Sequence, residues 1–596
     1  MIRVVHLRKA ALAGVAGAFA WEVAIRGIQL AGLDLFDLVH LLGTLVFPGG
    51  PVIAWWTAGM LVHAVVGALW AIFYAYFFWS ALDWPPVAQG LSFSLLPTVL
   101  ALLVAYPQLD MMHLEGSVAA FRPMAILGGV SWQDAAGLVL GHLVYGAVLG
   151  ALYTHPVGSP AAKPNRPAPR PERPIHAPPV EAKRDAHPPF LFATGIECSY
   201  PTIDGGKWRR DEMDSGGHYV HWRTDLERVR EIGATHLRYG PPLHLIFEGP
   251  GRYDWTFTDA VMPAMKAMGI EPIIDLCHFG VPNWLENFQN PEVPAALADY
   301  ARDFARRFPW VRFYTPVNEM FVCAKLSALD GVWNEQRRDE RSFVTAVKHL
   351  ARANVLMMQA ILAERPDALF VNSESGEFYQ PCCPDPEIIR IASFENERRF
   401  LTLDLIYAHP LSATMRDYLR AQGMTDAEHD WFMAQPVPKR AILGIDYYEW
   451  NEKLIDSSGR AQALGELFGW YVIANRYFER YRRPMMHSET NRMDARDAPR
   501  WLWRQWHNVQ LLRKAGVPLV GFTWYSLTDQ VDWDRAMSKA LGRVNPVGLF
   551  DLNRDVRPVG LAYKYLIDIH RANPDFFDPE PLETLLSGES GRCPVS

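Results

Sequence analysis

Hydrophobic and polar positions follow two different patterns along this chain. Up to about residue 155 the sequence is built from long apolar runs, at about 10–32, 51–80, 88–106 and 135–153, with few charges between them. Each run reaches or approaches the roughly 20 residues that an α-helix needs to cross a bilayer. A cleaved signal peptide would account for the first run alone. The pattern therefore predicts an all-α transmembrane domain of about four helices over residues 1–155.

From about residue 190 onward, short apolar runs alternate with amphipathic segments. The short runs predict eight strands, at 191–198, 234–239, 271–277, 311–318, 369–374, 441–447, 484–488 and 519–525. Amphipathic stretches predict helices between them, such as 223–232, 256–268, 294–308, 342–364, 462–482 and 499–515. This alternation is typical of βαβ units with a parallel sheet. Eight such units in about 380 residues predict an α/β fold of the TIM (β/α)8 barrel type.

The segment between these two parts has a composition of its own. Residues 156–189 are rich in proline and in basic side chains. Such a segment cannot form a core and stays extended or semi-rigid, so it is predicted to be a linker. We expect the barrel domain to cover residues 190–575. Residues 576–596 contain proline, glycine and serine and are predicted to form a flexible tail.

The basic residues predict how the transmembrane domain is oriented. Arg3, Arg8 and Lys9 precede the first apolar run, and a cluster of cations between Lys163 and Arg173 follows the last one. The loops after the first and third runs carry mainly Asp and Glu. By the positive-inside rule, both ends of this domain lie on the cytoplasmic side. The prediction is an integral protein of the inner or plasma membrane whose barrel domain is cytoplasmic.

Charge and cysteine content indicate which partners and which cellular compartment to expect. The whole chain carries a net charge of −7, which offers no basic footprint for nucleic acid. Its six cysteines are scattered without a framework spacing, which favours a reducing compartment. The sequence contains no metal motif and no nucleotide fingerprint, so no cofactor and no metal are predicted. The membrane lipid bilayer is an expected partner of the first domain.

Two glutamates stand where a barrel would place catalytic groups. Glu319 ends the stretch Phe-Tyr-Thr-Pro-Val-Asn-Glu at the fourth predicted strand, and Glu489 ends Pro-Met-Met-His-Ser-Glu at the seventh. The C-terminal ends of barrel strands form the face that carries TIM-barrel active sites. Hydrolysis of a glycosidic bond uses one carboxylic acid to protonate the leaving oxygen and a second carboxylate to meet the developing positive charge. A single Glu is more often a solvated loop residue, but two at matching strand ends favour a catalytic pair.

Both stretches resemble glycoside hydrolase family 1, the β-glucosidase-type retaining enzymes. The Asn318-Glu319 pair is similar to the acid/base signature of the family, with Met320 in place of the usual proline. The Ser-Glu-Thr-Asn around Glu489 resembles the family's Thr-Glu-Asn-Gly nucleophile motif. The resemblance covers about residues 190–571. It implies that Glu319 is the acid/base and Glu489 the nucleophile of a double displacement.

The same resemblance implies substrate-binding residues near the strand ends. His278, in Leu-Cys-His-Phe-Gly-Val-Pro, stands where the family has a sugar-binding histidine, and Arg238 where it has an arginine that orients the nucleophile. Asn318 would donate to the sugar 2-hydroxyl. Tyr448 is similar to the tyrosine that contacts the nucleophile, with Asp446 where the family has asparagine. For any one of these residues, a buried structural role is the alternative.

The first and last strands depart further from the family pattern. In the eighth-strand motif Tyr525 takes the place of the usual tryptophan floor, Asp532 that of the glutamate that holds the far hydroxyls, and Trp533 follows. At the first strand the family's sugar-binding glutamine is missing, and Glu197 occupies that rim. These departures imply a divergent relative of the family and leave the identity of its sugar open.

Three functions are compatible with the sequence. The first is a membrane-anchored retaining β-glycosidase that hydrolyses O-glycosidic bonds of a small glycoside, a glycolipid headgroup or a lipid-linked sugar. The second is a transglycosylase, which shares the covalent intermediate but transfers the sugar to a hydroxyl other than water. The third is a catalytically inactive saccharide-binding barrel that acts as a sensor for the membrane domain. The presence of both glutamates argues against the third.

Overall fold

The computed structural model describes residues 7–33, 37–47, 50–79, 84–102, 132–153, 190–436 and 438–572. The chain divides into two compact units, residues 1–157 with the short segment 541–543, and residues 158–540 with 544–596. The predicted linker at 156–189 and the predicted tail at 576–596 lie outside the described residues, so both stay predictions. Each unit is described below by itself.

The first unit is helical throughout its described residues. Its helices are α1 (Leu7–Leu30), α2 (Leu38–Val46), α3 (Val52–Phe73), α4 (Pro86–Leu100) and α5 (Trp132–Leu152), with a π-helical continuation of α3 over Tyr74–Phe78. Three of the predicted apolar runs form helices long and apolar enough to cross a membrane: Leu7–Leu30, Val52–Phe78 and Ala135–Leu152. The remaining run forms the shorter helix α4, and its last residues, 103–106, are not described.

Small residues allow these helices to approach closely. The backbone of Gly14 in α1 lies against Gly67 in α3, where an added Cβ would come within 2.3 Å of the Gly67 carbonyl oxygen. Close packing of this kind is a common way for helices to associate in a lipid environment, where burial of apolar surface supplies little driving force. The sequence did not predict helix α2, which begins after Asp37, whose carboxylate accepts a hydrogen bond from the His40 amide.

The second unit is a closed barrel of eight parallel strands. The strands are β1 (Leu191–Gly195), β2 (His236–Tyr239), β3 (Glu271–Asp275), β4 (Phe313–Thr315), β5 (Leu369–Ser375), β6 (Ala441–Asp446), β7 (Met485–His487) and β8 (Leu519–Trp524). Each pairs with its neighbours in sequence, and β8 pairs with β1 to close the ring. All eight predicted strands are present, and the predicted TIM-barrel fold is confirmed.

The strands form here because their side chains are buried on both faces. Inward-pointing apolar residues fill the barrel interior, as branched and aromatic side chains do in this fold. They are Leu191, Ala193, Ile273, Phe313, Leu369, Val371, Ile442, Met486 and Val520. The outer layer consists of helices between the strands, of which the longest are His218–Ile232, Thr256–Ala267, Val293–Arg307, Glu340–Glu364, Pro386–Arg398, Gly469–Tyr481, Ala498–Lys514 and Pro558–Ala572.

A small extra sheet was not predicted from the sequence. Strand Phe378–Pro381, after β5, pairs with Glu452–Ile455, after β6, and the latter pairs with Ala461–Ala463. The helix predicted over 462–482 therefore begins only at Gly469. The apolar positions before residue 469 follow the sheet and its return loop instead of a helical period. This sheet positions side chains from the loops after β5 and β6.

Candidate active site

The C-terminal ends of the strands surround one cavity of about 600 Å³. Glu319 follows β4 and Glu489 follows β7, three strands further around the ring, and both line this cavity. The same wall contains five predicted substrate-binding residues, which come from the ends or following loops of four strands. They are Glu197, His278, Tyr448, Tyr525 and Trp533.

Glu489 is held by donors on both carboxylate oxygens. Arg238 donates to Oε1 at 2.5 Å, and the Tyr448 hydroxyl donates to Oε2 at 2.6 Å. Only 4% of the residue is exposed. A guanidinium and a phenol that both donate to a buried carboxylate stabilise its ionised form. An ionised, immobilised carboxylate can act as a nucleophile.

Glu319 has the opposite environment. Its backbone adopts a left-handed conformation, with φ of 40°, and its amide donates to the Ser373 carbonyl. Its carboxyl group makes no hydrogen bond or ion pair with any residue that the structure describes. Burial, followed by the neighbouring carboxyl groups of Asp446, Glu489 and Glu374, raises the pKa of Glu319 well above its usual range. A carboxyl group in such a site stays protonated and can donate a proton.

Arg238 organises the floor beneath these two groups. It is fully buried and, besides Glu489, it donates to both oxygens of Asp275 and to the Asn318 side-chain oxygen at 2.8 Å. Asp275 ends β3 and was not identified from the sequence. A buried guanidinium is unfavourable unless carboxylates balance its positive charge. Arg238 has two such partners, Asp275 and Glu489.

These contacts also determine the protonation of His278. Because the Asn318 oxygen faces Arg238, its amide nitrogen faces His278 Nε2, at 3.2 Å, and donates to it. The proton of the imidazole then lies on Nδ1, which faces Asp275 at 3.3 Å. These contacts hold the His278 ring between an amide and a carboxylate. Burial lowers the pKa of His278, but the neighbouring Cys198 and Asp275 outweigh burial and raise this pKa well above its usual range.

The remaining predicted residues occupy different positions relative to the cavity. Arg238 and Asn318 are fully buried and support the lining residues from behind. Asp532 is also buried and accepts a hydrogen bond from Arg210 at 2.9 Å. The Tyr525 ring is parallel to that of His278, with centroids 6.1 Å apart. Trp533 stands edge-on to Phe279 at 6.1 Å.

Several residues of the site were not identified from the sequence. Asp446 is fully buried between the hydroxyls of Ser373 and Ser488, which both donate to it. Glu374, on β5, accepts hydrogen bonds from the Phe321 amide and the Thr402 hydroxyl. A strand-end position was the available signal for Asp275, Glu374 and Asp446. The outer wall, with Lys325, Glu377, Trp450, Lys453 and Met493, comes from loops that no short motif marks.

One group of side chains has the composition of a metal site. Cys198, Asp275 and His278 place their ligand atoms within 4.8 Å of one another, and all three are buried. However, the Arg238 guanidinium already donates to both Asp275 oxygens. A cation bound there would face that guanidinium, and His278 Nδ1, which also faces Asp275, carries a proton. These residues therefore fit the hydrogen-bonded floor of a sugar site better than a metal site.

Comparison with known proteins identifies a family for the barrel unit. The family model described as Glycosyl hydrolase family 1 matches residues 202–457. This range includes the Asn318-Glu319 stretch, His278, Arg238 and Tyr448. It ends before Glu489 and the eighth strand.

Individual relatives agree with this match. Beta-glucosidase A of Thermotoga maritima is 23% identical over 369 residues, which are 55% of this chain and 81% of the relative. A 1,4-beta-D-glucan glucohydrolase of Thermotoga neapolitana is 22% identical over 55% of this chain and 85% of its own length. The solved structure of a family 1 β-glucosidase from Thermotoga maritima superposes with a TM-score of 0.54 at 18% identity. It covers 64% of this chain and 97% of that one, which supports the fold.

Proposed function

The chain carries a glycosyl hydrolase family 1 domain and is a glycoside hydrolase; on that premise we propose that it is a membrane-anchored retaining β-glycosidase with Glu319 and Glu489 as its two catalytic groups. The observation that carries this proposal is the contrast between the two carboxyl groups of one cavity. Arg238 and Tyr448 hold Glu489 as a carboxylate, whereas burial and neighbouring acids keep Glu319 protonated. Carboxyl groups in such contrasting environments take different roles in glycoside hydrolysis.

The proposed reaction proceeds in two steps. In the first, Glu489 attacks the anomeric carbon while Glu319 transfers its proton to the glycosidic oxygen, so the bond to the aglycone breaks and a glycosyl ester forms on Glu489. In the second, the Glu319 carboxylate takes a proton from water, whose oxygen displaces Glu489 from the anomeric carbon. Two inversions give net retention.

Other residues would bind and orient the sugar without taking part in proton transfer. Arg238 and Tyr448 fix the attacking oxygens of Glu489. We assign His278, Asn318, Tyr525 and Trp533 to the sugar ring. Asn318 and His278 already form a hydrogen-bonded pair, so a sugar hydroxyl would replace or bridge that contact.

The membrane part of the proposal rests on the surface of the first unit. Three of its helices are long enough to cross a bilayer, and apolar side chains point away from its interior. Leu12 and Val23 on α1 are 70% and 72% exposed, and Leu61 on α3 is 66% exposed. Large exposed apolar surface of this kind is stable against lipid and unstable in water. We propose that this unit anchors the barrel, with the barrel on the cytoplasmic side.

Substitution of each glutamate tests the assigned roles. Glu489→Gly should abolish labelling by a covalent cyclitol reagent, and azide should restore part of the turnover by occupying the vacated space. Glu319→Ala should leave aryl glycosides with good leaving groups nearly unaffected and slow poor leaving groups by about 10² to 10⁴. The exposed Glu227, on helix His218–Ile232, provides a matched control as Glu227→Gln.

The outcomes separate the three candidate functions. A first product of inverted configuration, or a label on a residue other than Glu489, would contradict the proposed roles. Transfer of the sugar to added alcohols in preference to water would identify a transglycosylase. Binding of saccharides without turnover in any variant would identify a sensor instead of an enzyme.

A further inference from the structure

Glu197 is a third carboxyl group in the catalytic cavity, and it forms no ion pair with any residue that the structure describes. It follows β1, is 5% exposed and lines the cavity. It lies close enough to Glu489 for the two negative charges to repel. A sugar whose anomeric carbon contacts Glu489 would therefore also lie against Glu197.

The hydrogen bonds of Glu197 favour its ionised form. Oε1 accepts from the amide and the hydroxyl of Ser199, and Oε2 accepts from the Gln530 side chain at 2.7 Å. All three partners are donors, and donors stabilise a carboxylate over a carboxylic acid. Oε2 keeps one lone pair without a partner. Gln530 also lines the cavity, so this lone pair lies at the ligand-accessible wall.

The cations of the cavity are engaged elsewhere. Among the described residues, Lys325 pairs with Asp330 at 2.6 Å and Lys453 pairs with Glu377, and all four line the cavity. Arg238 lies behind the wall and is shared by Glu489 and Asp275. His278 faces Asp275 at 3.3 Å, and Arg535 is a further cation of the cavity lining. No ion pair to Glu197 is found within the part of the chain that the structure describes.

A buried carboxylate without a counter-ion is unfavourable unless a ligand supplies the charge. Burial raises the pKa of Glu197, and the neighbouring His278 offsets this effect only in part. A protonated amine would compensate and also form a charge-assisted hydrogen bond. The aromatic rings of Tyr525 and Trp533, which line the same cavity, are further favourable neighbours for an ammonium group.

We propose that the sugar bound in this cavity is an amino sugar whose protonated amine pairs with Glu197, so that the preferred substrates are cationic β-glycosides. This inference rests on the proposed glycosidase function and names the substrate class of its site. The same negative wall disfavours sugars that carry a phosphate or a carboxylate, because they would bring a second anion next to Glu197 and Glu489.

The test uses the full-length protein in detergent. A panel of 4-nitrophenyl β-glycosides would compare glucose with its 2-, 3-, 4- and 6-amino-deoxy derivatives, and each amine with its N-acetyl form. At least one amino glycoside should exceed the glucoside in kcat/KM by about 10- to 100-fold, and N-acetylation should remove that advantage. In Glu197→Gln the advantage should disappear, whereas Glu227→Gln should keep it.

Binding measurements distinguish failure of this inference from failure of the proposed function. Calorimetry with methyl glycosides of the same sugars reports affinity whether or not turnover occurs. Preferred binding of an amino sugar that Glu197→Gln abolishes, without turnover, would support the inference and contradict the enzymatic proposal. No preference for any amine in binding or turnover, or a preference unchanged in Glu197→Gln, would overturn the inference.

Discussion

At the residue scale, environment separates carboxyl groups that look alike in the sequence. Glu319, Glu489 and Glu197 all line one cavity, yet their partners differ completely. Glu489 receives a guanidinium and a phenol, Glu197 receives three neutral donors, and Glu319 receives no donor among the described residues. These differences in environment are the basis on which we propose Glu489 as the nucleophile, Glu319 as the acid and Glu197 as the group that pairs with the ligand.

The raised pKa of Glu319 predicts the alkaline side of the pH profile. Its folded-state pKa lies above the ordinary value because of burial and the nearby acids, so the acid stays protonated through a wider pH range. Activity on glycosides with poor leaving groups should fall as the pH rises through that pKa, since the proton donor is lost. In Glu319→Ala, assayed with an activated aryl glycoside, kcat/KM should no longer decrease on the alkaline side of the pH profile. An alkaline decrease in kcat/KM that persists in Glu319→Ala would mean that another group causes it.

Asp446 offers a second residue-scale prediction. Burial, and then the charge of Glu489, raises the pKa of Asp446 well above its usual range, which favours the neutral acid. Asn has nearly the same shape and stands at this position in the resembling family. We therefore expect Asp446→Asn to keep kcat/KM within a few-fold, and Asp446→Ala to lose more because the hydroxyls of Ser373 and Ser488 would lose their acceptor. A loss above about tenfold in Asp446→Asn would show that a carboxylate is required.

At the element scale, one buried carboxyl group connects β5 to the acid/base segment. The short helix Met320–Ala324 begins directly after Glu319, and Glu374 accepts a hydrogen bond from its second amide, that of Phe321. The first amides of a helix have no partner within the helix, so Glu374 satisfies one of them. It thereby joins the end of β5 to the segment that carries Glu319.

Glu374 should make the stability of the barrel depend on pH. Burial raises its pKa to about 8, above the unfolded value of 4.5. The folded state then holds a proton that the unfolded state has lost, so the free energy of unfolding should decrease as the pH rises from about 5 to 8. Chemical unfolding of Glu374→Gln at pH 6 and pH 9 should show a smaller difference than the wild type does. An unchanged difference would exclude Glu374 as its source.

At the scale of the whole molecule, two units with different surfaces share one chain. The helical unit exposes large apolar side chains, whereas the barrel has its own closed sheet and interior. A closed barrel leaves no unpaired sheet edge and does not require a partner to complete its core. Independence of the two units is therefore expected.

A fragment that begins near His187 should be soluble and should unfold cooperatively without detergent. Size-exclusion chromatography and thermal unfolding would measure this, with the full-length protein in detergent as the control. Aggregation of every such fragment would indicate that part of the barrel surface is apolar and is buried against another partner in the full-length protein. Trp503, Leu561 and Tyr565, which are 39%, 57% and 62% exposed, would be the first positions to replace.

The orientation of the barrel is a separate prediction. Cations before the first apolar run and after the last predict that both ends of the helical domain lie in the cytoplasm. A reporter fused after Pro189 should be active only if it functions in the cytoplasm, and a reporter that requires export should be silent there. Activity of the exported reporter would contradict both the orientation and the number of spans.

Local patterns in the sequence were sufficient to predict the elements and to predict that Glu319 and Glu489 lie at one face of the barrel. Buried strands and long apolar helices leave continuous signals in neighbouring residues, which is why all eight barrel strands and three long apolar helices are found where expected. Glu319 and Glu489 could be identified because each ends such a strand within a family-like motif. Their separation in the chain was no obstacle, because the fold brings all strand ends to one face.

Only the tertiary structure decided which partners each group has, because those partners come from distant parts of the chain. Arg238 reaches Glu489 and Asp275, and Gln530 reaches Glu197, across distances that no local pattern encodes. Helix α2 and the sheet formed by Phe378–Pro381 and Glu452–Ile455 also escaped prediction, because short elements depend on their neighbours for stability. Protonation follows from burial and charge at a site. Burial and charge at a site are properties of the folded chain. The sequence was therefore sufficient to identify candidate carboxyl groups, whereas their protonation depends on the tertiary structure.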